Sequence, residues 1–94
     1  INHMIEVTDI NEPDTLVYEW YINENGSECH LIEHFKSSEA FITHLANVSH
    51  MFDTLFHFST MTRAKIYGKP SDELKQSLDP LGVEYFDNFN GITR

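Results

Sequence analysis

TLVYEWYINENGSECHLIEHF, residues 15–35, reads as a β-hairpin. Its first part, TLVYEWYIN, is rich in β-branched and aromatic residues, the composition of a strand. Asn25-Gly26 follows, a strong short-range hairpin signal, because a two-residue loop needs positive φ at both central positions. SECHLIEHF, residues 27–35, is the returning strand. Such a loop fixes the register. Glu24 faces Ser27, Ile22 faces Cys29, Trp20 faces Leu31, Tyr18 faces Glu33 and Leu16 faces Phe35. One face then carries Leu16, Tyr18, Trp20, Ile22, Cys29, Leu31, Glu33 and Phe35. It is almost wholly apolar and calls for a cover of helices. The other carries Val17, Glu19, Tyr21, Asn23, Glu28, His30, Ile32 and His34, a mixed surface that suits water or a partner subunit.

On either side of the hairpin the period changes to that of helices. Ile1, Met4, Ile5 and Thr8 recur at helical spacing, and Asn11 and Pro13 end that segment. Downstream, Ser37 or Ser38 caps a helix with Glu39 in its first turn. Phe41, Leu45, Val48 and Phe52 continue it to about Phe58, with a break near residues 47–50. Residues 59–68, STMTRAKIYG, read as a strand. Ser71 caps a short helix that Pro80 and Gly82 stop. The tail, VEYFDNFNGITR, is aromatic without a clear period. The order is helix, strand, strand, helix, strand, short helix. With one strand placed in front it becomes βαββαβ, a ferredoxin-like α+β sandwich. The expectation is a single domain over residues 1–94, incomplete at its N-terminus.

Length and charge narrow the function. At 94 residues and 11.0 kDa the chain holds one domain, and 40% hydrophobic residues suffice for a core. Six Lys and Arg oppose fifteen Asp and Glu, a net charge of −9. A phosphate backbone or an anionic membrane surface would be repelled, so no nucleic acid and no membrane is expected as a partner. No apolar run approaches the ~20 residues of a membrane span. Cys29 is the only cysteine, so there is no internal disulfide, in keeping with a cytoplasmic location. Its place beside Ile22 reads as a buried structural thiol. The four glycines are isolated, so no glycine-rich cradle for a flavin or a nicotinamide is present.

The candidate chemistry gathers on the apolar face. Glu33 points into it beside Tyr18, and a buried carboxylate must be neutral, hydrogen-bonded or paired. It is either held by the Tyr18 hydroxyl or a backbone amide, or it is a general base or substrate anchor in a pocket. His44 shares a helix face with Phe41 and Val48. It is either a satisfied core residue or a proton-transfer group. Tyr18 and Trp20 either pack the core or, with Leu31 and Phe41, line a pocket for an aromatic ring. No metal site is expected. His30 and His34 lie four apart on a strand, roughly 13 Å, too far to share an ion.

VYEWYINENGSECHLIEHFKSSEAFITHLANV, residues 17–48, is similar to the antibiotic-biosynthesis-monooxygenase family of dimeric α+β barrels, which includes small quinol monooxygenases. The order EP-x2-L-x-YEW, hairpin, E-x-[FY], SEA-x3-HL and a strand ending in YG carries the resemblance, with YGKPSDEL and NGITR beyond it. It implies a ferredoxin-like monomer whose mixed sheet face packs on its twin, so a homodimer closing an α+β barrel. It also implies a histidine near the pocket at the SEA-x3-H position, His44, and oxygenation of a small aromatic diol or quinol without a bound cofactor. Glu33 and His44 would then be catalytic, with Tyr18, Trp20, Leu31 and Phe41 on the substrate. A non-catalytic ligand-binding or sensor dimer and a haem-binding relative with His44 as axial ligand are the alternatives of the same fold.

Overall fold

The computed structural model describes residues 1–94. Helix α1, Asn2–Asn11, buries Met4 and Thr8 on one side. It ends where Glu12 leaves helical geometry and Pro13 forbids another turn. The Thr15 amide donates to the Glu12 carbonyl at 3.2 Å, so residues 12–15 form a tight reversal into strand β1, Thr15–Ile22. Strand β2, Cys29–Phe35, returns antiparallel to it.

The register expected from the sequence holds from Val17↔His34 to Ile22↔Cys29, with Tyr18 opposite Glu33 and Trp20 opposite Leu31. It fails at the far end. An irregularity between Thr15 and Val17 places Phe35 opposite Thr15, and Leu16 is 55% exposed instead of facing the core. The loop also differs from the expected two-residue turn. Gly26 has φ +74, while Asn25 has no positive φ. Residues 23–28 close through the Gly26 amide donating to the Asn23 carbonyl at 3.1 Å and the Glu28 amide donating to Asn23 Oδ1 at 2.9 Å. Side-chain acceptors replace the second left-handed residue, and the register survives the change.

Helix α2, Ser38–Val48, starts where Ser37 Oγ accepts from the Ala40 amide at 3.1 Å, and it buries Ala40, His44 and Val48 at four-residue intervals. The expected break follows as a 3-10 turn at Ser49–Met51, before α3, Phe52–Phe58. Strand β3 is only Lys65–Tyr67, so residues 59–64 do not extend it as the alternation suggested. Ser71 caps α4, Asp72–Leu78, and Gly82 in the left-handed region ends the 3-10 turn after it. The tail then adds β4, Glu84–Phe86, parallel to β3. No alternation in residues 84–86 marks this strand.

Core side chains come from three helices: Met4 and Thr8 from α1, Ala40, His44 and Val48 from α2, Leu74 and Leu78 from α4. The architecture is a small α+β fold consistent with a ferredoxin-like arrangement. Its strands form two two-stranded sheets, β1-β2 and β3-β4, and no closed barrel. The helices cover Tyr18, Trp20, Leu31, Glu33 and Phe35 only in part, and the hairpin runs on past them. Ile22 is therefore 70% exposed, and Cys29 is exposed rather than buried. Total exposed surface is 7480 Å². A folded monomer of this mass exposes roughly 5,600 Å², about 1,900 Å² less.

Candidate functional site

The turn at residues 12–15 aims the Glu12 side chain inward. Glu12 is 4% exposed and accepts from three side chains. Thr15 Oγ1 donates to Oε1 at 2.8 Å, and Asn47 Nδ2 donates to Oε2 at 2.6 Å. His44 Nδ1 lies 2.8 Å from Oε1 and 3.1 Å from Oε2. Asn47 Nδ2 also reaches the Val7 carbonyl at 3.1 Å, which ties α2 to α1.

The other side of the imidazole faces the sheet. His44 Nε2 lies 3.1 Å from Glu33 Oε1, an ion-pair contact. The ring, 3% exposed, is thus held between two carboxylates, one at each nitrogen. Aromatic rings enclose it. Tyr18 is 4.8 Å away centroid to centroid at 63°, and Phe35 is 5.3 Å away. Burial draws the His44 pKa down, but contact with Glu33 and Glu12 and their charge push it up, and the net is above the usual histidine value. An acceptor at each nitrogen favours the protonated ring over the neutral one more than in a free histidine.

Two members of the trio differ in access. The Glu12 side chain is 2% exposed and that of Glu33 is 24% exposed. Glu12 is saturated with donors and cannot meet a ligand without breaking them. Glu33 retains a path to solvent.

The sequence-derived candidates fall into two groups. Glu33, His44 and Tyr18 come together, with Trp20 edge-to-face on Tyr18 at 6.1 Å. Leu31 is half-buried on the same face, opposite Trp20. Phe41 stacks on Phe35 at 4.2 Å and 17°, a packing contact. Glu33 does not hydrogen-bond the Tyr18 hydroxyl, one of the arrangements considered from the sequence; its partner is His44. Burial pushes the Tyr18 hydroxyl up to about 12, so it stays protonated as a donor at ordinary pH. Glu12, Asn47 and Thr15 escaped the sequence reading. Glu12 stood in the EP motif but was seen only as the end of a helix, and Asn47 only as the site of a break. A glutamate immediately before a helix-ending proline was the available signal.

Two clefts mark the surface elsewhere. One of about 140 Å³ lies behind Glu12, lined by Pro13, Asp14, Ser37, Glu39 and Thr43 among others. The other, about 190 Å³, sits at the hairpin tip against Tyr21, Ile22, Glu28 and His30. Neither is lined by Tyr18, Trp20 or Glu33. His30 pairs with Glu28 at 3.5 Å on the exposed face.

Among solved structures, the crystal structure of MupZ from Pseudomonas fluorescens is similar to this chain, with a TM-score of 0.86 at 24% identity. The match covers 99% of this chain and 76% of that one. This chain shares the small α+β fold of MupZ. At that identity the likeness is one of fold. No family model matches the chain, and no curated protein matches it. The likeness supports a small α+β fold and does not extend to the monooxygenase family that the sequence resembles. No helix is long and apolar enough to cross a membrane.

Proposed function

We propose that the chain is an acid–base enzyme in which Glu33 is the base, His44 the imidazolium behind it and Glu12 the group that holds His44 in place. The observation that carries this reading is the Glu12–His44–Glu33 line, with contacts of 2.8 and 3.1 Å and only its Glu33 end open to solvent. A buried charged trio costs desolvation and is weak as a stabilising device. Its three titratable groups in direct contact form a path along which a proton can pass between Glu33 and His44.

The reaction that fits both this site and the sequence resemblance is cofactor-independent monooxygenation of a small aromatic diol or quinol. A phenol hydroxyl has a pKa near ~10, so it needs a base to ionise at neutral pH. Glu33 takes that proton. The quinol anion gives an electron to dioxygen, and the radical pair combines at a ring carbon as a hydroperoxide. Glu33 returns the proton as water leaves. One oxygen atom ends in the hydroxyquinone and the other in water, so the quinol and dioxygen supply all atoms and electrons.

The proposal includes a homodimer through the mixed face of β1 and β2. That face exposes Tyr21 and Ile32, and a surplus of about 1,900 Å² per chain over an ordinary monomer, about 3,800 Å² for two chains, is on the scale of an obligate homodimer interface. A second reading, a ligand-binding dimer without turnover, is favoured by one feature: Tyr18 and Trp20 pack edge-to-face beside Glu33, where they fill space that a substrate would need. The haem reading loses its support, since both nitrogens of His44 are already engaged.

The test is oxygen uptake over hydroquinones and catechols, with and without added flavin. Uptake above autoxidation that falls tenfold or more in Glu33→Gln and in His44→Ala is expected. A flat trace across the panel, or rates unchanged in both variants, removes the enzymatic assignment.

A further inference from the structure

Asn47 makes two hydrogen bonds from one amide nitrogen. Nδ2 donates to the Val7 carbonyl at 3.1 Å and to Glu12 Oε2 at 2.6 Å. Both partners are acceptors, so the amide cannot turn over: its own oxygen would then face a carbonyl and a carboxylate. Thr15 Oγ1 donates to the other oxygen of Glu12, Oε1, at 2.8 Å. The Glu12 carboxyl is thereby fixed from α2 and from β1 at once. Held so, it sets both oxygens against His44 Nδ1, at 2.8 and 3.1 Å. Asn47 lies three residues after His44, on the same face of α2.

The two nitrogens of His44 therefore meet carboxylates of different kinds. The Glu12 side chain is 2% exposed, whereas that of Glu33 is 24% exposed and reaches solvent. A neutral imidazole carries one hydrogen, on either nitrogen. On Nε2, it would leave the bare Nδ1 lone pair against a buried carboxylate that water does not reach, a costly contact in a low-dielectric interior. On Nδ1, it leaves the bare Nε2 opposite Glu33, whose charge water screens and which can itself carry a proton. We propose that Asn47 and Thr15 are positioning residues: by holding Glu12 as a fixed acceptor, they make the neutral His44 ring the Nδ1–H tautomer, with Nε2 bare towards Glu33. Their role in turnover rests on Glu33 being the base of this site. A proton that Glu33 takes from a substrate hydroxyl then passes to the Nε2 lone pair, and the ring becomes the imidazolium. The same proton returns to Glu33 by the reverse step, while the hydrogen on Nδ1 never leaves.

A free imidazole prefers its hydrogen on Nε2, so the expected tautomer reverses the default. Long-range proton–nitrogen NMR of the whole chain, on the alkaline side of the His44 titration, shows which nitrogen keeps its hydrogen; loss of the signals in His44→Gln assigns them. The wild type should show the Nδ1–H form in about tenfold excess or more. Asn47→Leu keeps a branched side chain and removes both donors, and it should lower that ratio about tenfold. Thr15→Val removes only the donor on Oε1 and should lower it about threefold, which provides the comparison if Asn47→Leu does not fold. A wild-type ring with its hydrogen on Nε2 overturns the assignment. So does a ratio unchanged in the folded variants, even with a lower melting temperature, since the two residues would then serve packing alone. Oxygen uptake with hydroquinone separates this assignment from the enzyme. The Nδ1–H form without uptake in the wild type sinks the enzyme and leaves the positioning pair standing. Uptake by a wild type whose neutral ring is the Nε2–H form sinks the positioning pair alone.

Discussion

Replacing Glu12 by glutamine keeps the shape of the side chain and removes its charge. In the native protein its two oxygens accept from His44, Asn47 and Thr15, all within 3.1 Å. A glutamine amide has one oxygen and one NH2, so the NH2 must face a donor whichever way it turns. The larger loss is electrostatic. Removing one partner of a buried ion pair costs about 3–5 kcal/mol. Glu33 still faces the other nitrogen, so the low end, ~3 kcal/mol, is expected. For a domain of this size that is a fall in Tm on the order of 10–20 °C. Urea denaturation at about pH 6, below the ordinary histidine pKa of ~6.5, is the assay. Asp14→Asn, an exposed carboxylate two residues away, is the control and should change stability by no more than about 0.5 kcal/mol. A Glu12→Gln protein within about 1 kcal/mol of wild type would refute the claim that Glu12 holds a buried cation.

The raised pKa of His44 sets a pH dependence. A group whose folded pKa lies above its unfolded value of ~6.5 adds stability that is complete below ~6.5 and is lost as pH rises through the folded value. Wild type should therefore weaken on the alkaline side, and His44→Gln should flatten that slope; equal slopes would count against the ion pair. Cys29, exposed at the end of the hairpin, should react with a thiol reagent in the native protein within about threefold of the unfolded rate, whereas a thiol that waits for unfolding would contradict its placement. Gly26→Ala forces a side chain into φ +74 and should cost about 1 kcal/mol by thermal melting, with no such cost at the open position Gly91.

The hairpin was legible because two independent signals agreed. Alternation assigned the faces, and Asn25-Gly26 marked the turn, so the pairing of Tyr18 with Glu33 followed without coordinates. The turn type did not follow, because Asn23 and Asn25 side chains can satisfy the loop as well as a second left-handed residue does. Alternation also says which face is apolar but not how far the covering helices reach, which is why Ile22 and Cys29 were placed inside. Strand β4 is three residues long, too short for any period to show. At the site, His44 and Glu33 were visible as polar residues on apolar faces. Glu12 was hidden because its role depends on a reversal at Pro13 that turns the end of a helix back into the core. Local patterning describes a residue's neighbours along the chain, whereas Glu12 meets His44 and Asn47 from more than thirty residues away.

The central claim is that His44 is a cation clamped between two carboxylates. Nitrogen-detected NMR of the His44 ring, assigned by its loss in His44→Gln and followed from about pH 6 to about pH 9, tests it most directly. Both ring nitrogens should be protonated at neutral pH, with deprotonation displaced to the alkaline side and restored towards ~6.5 in Glu12→Gln. A ring that is singly protonated at neutral pH, with one nitrogen bare, would contradict the account.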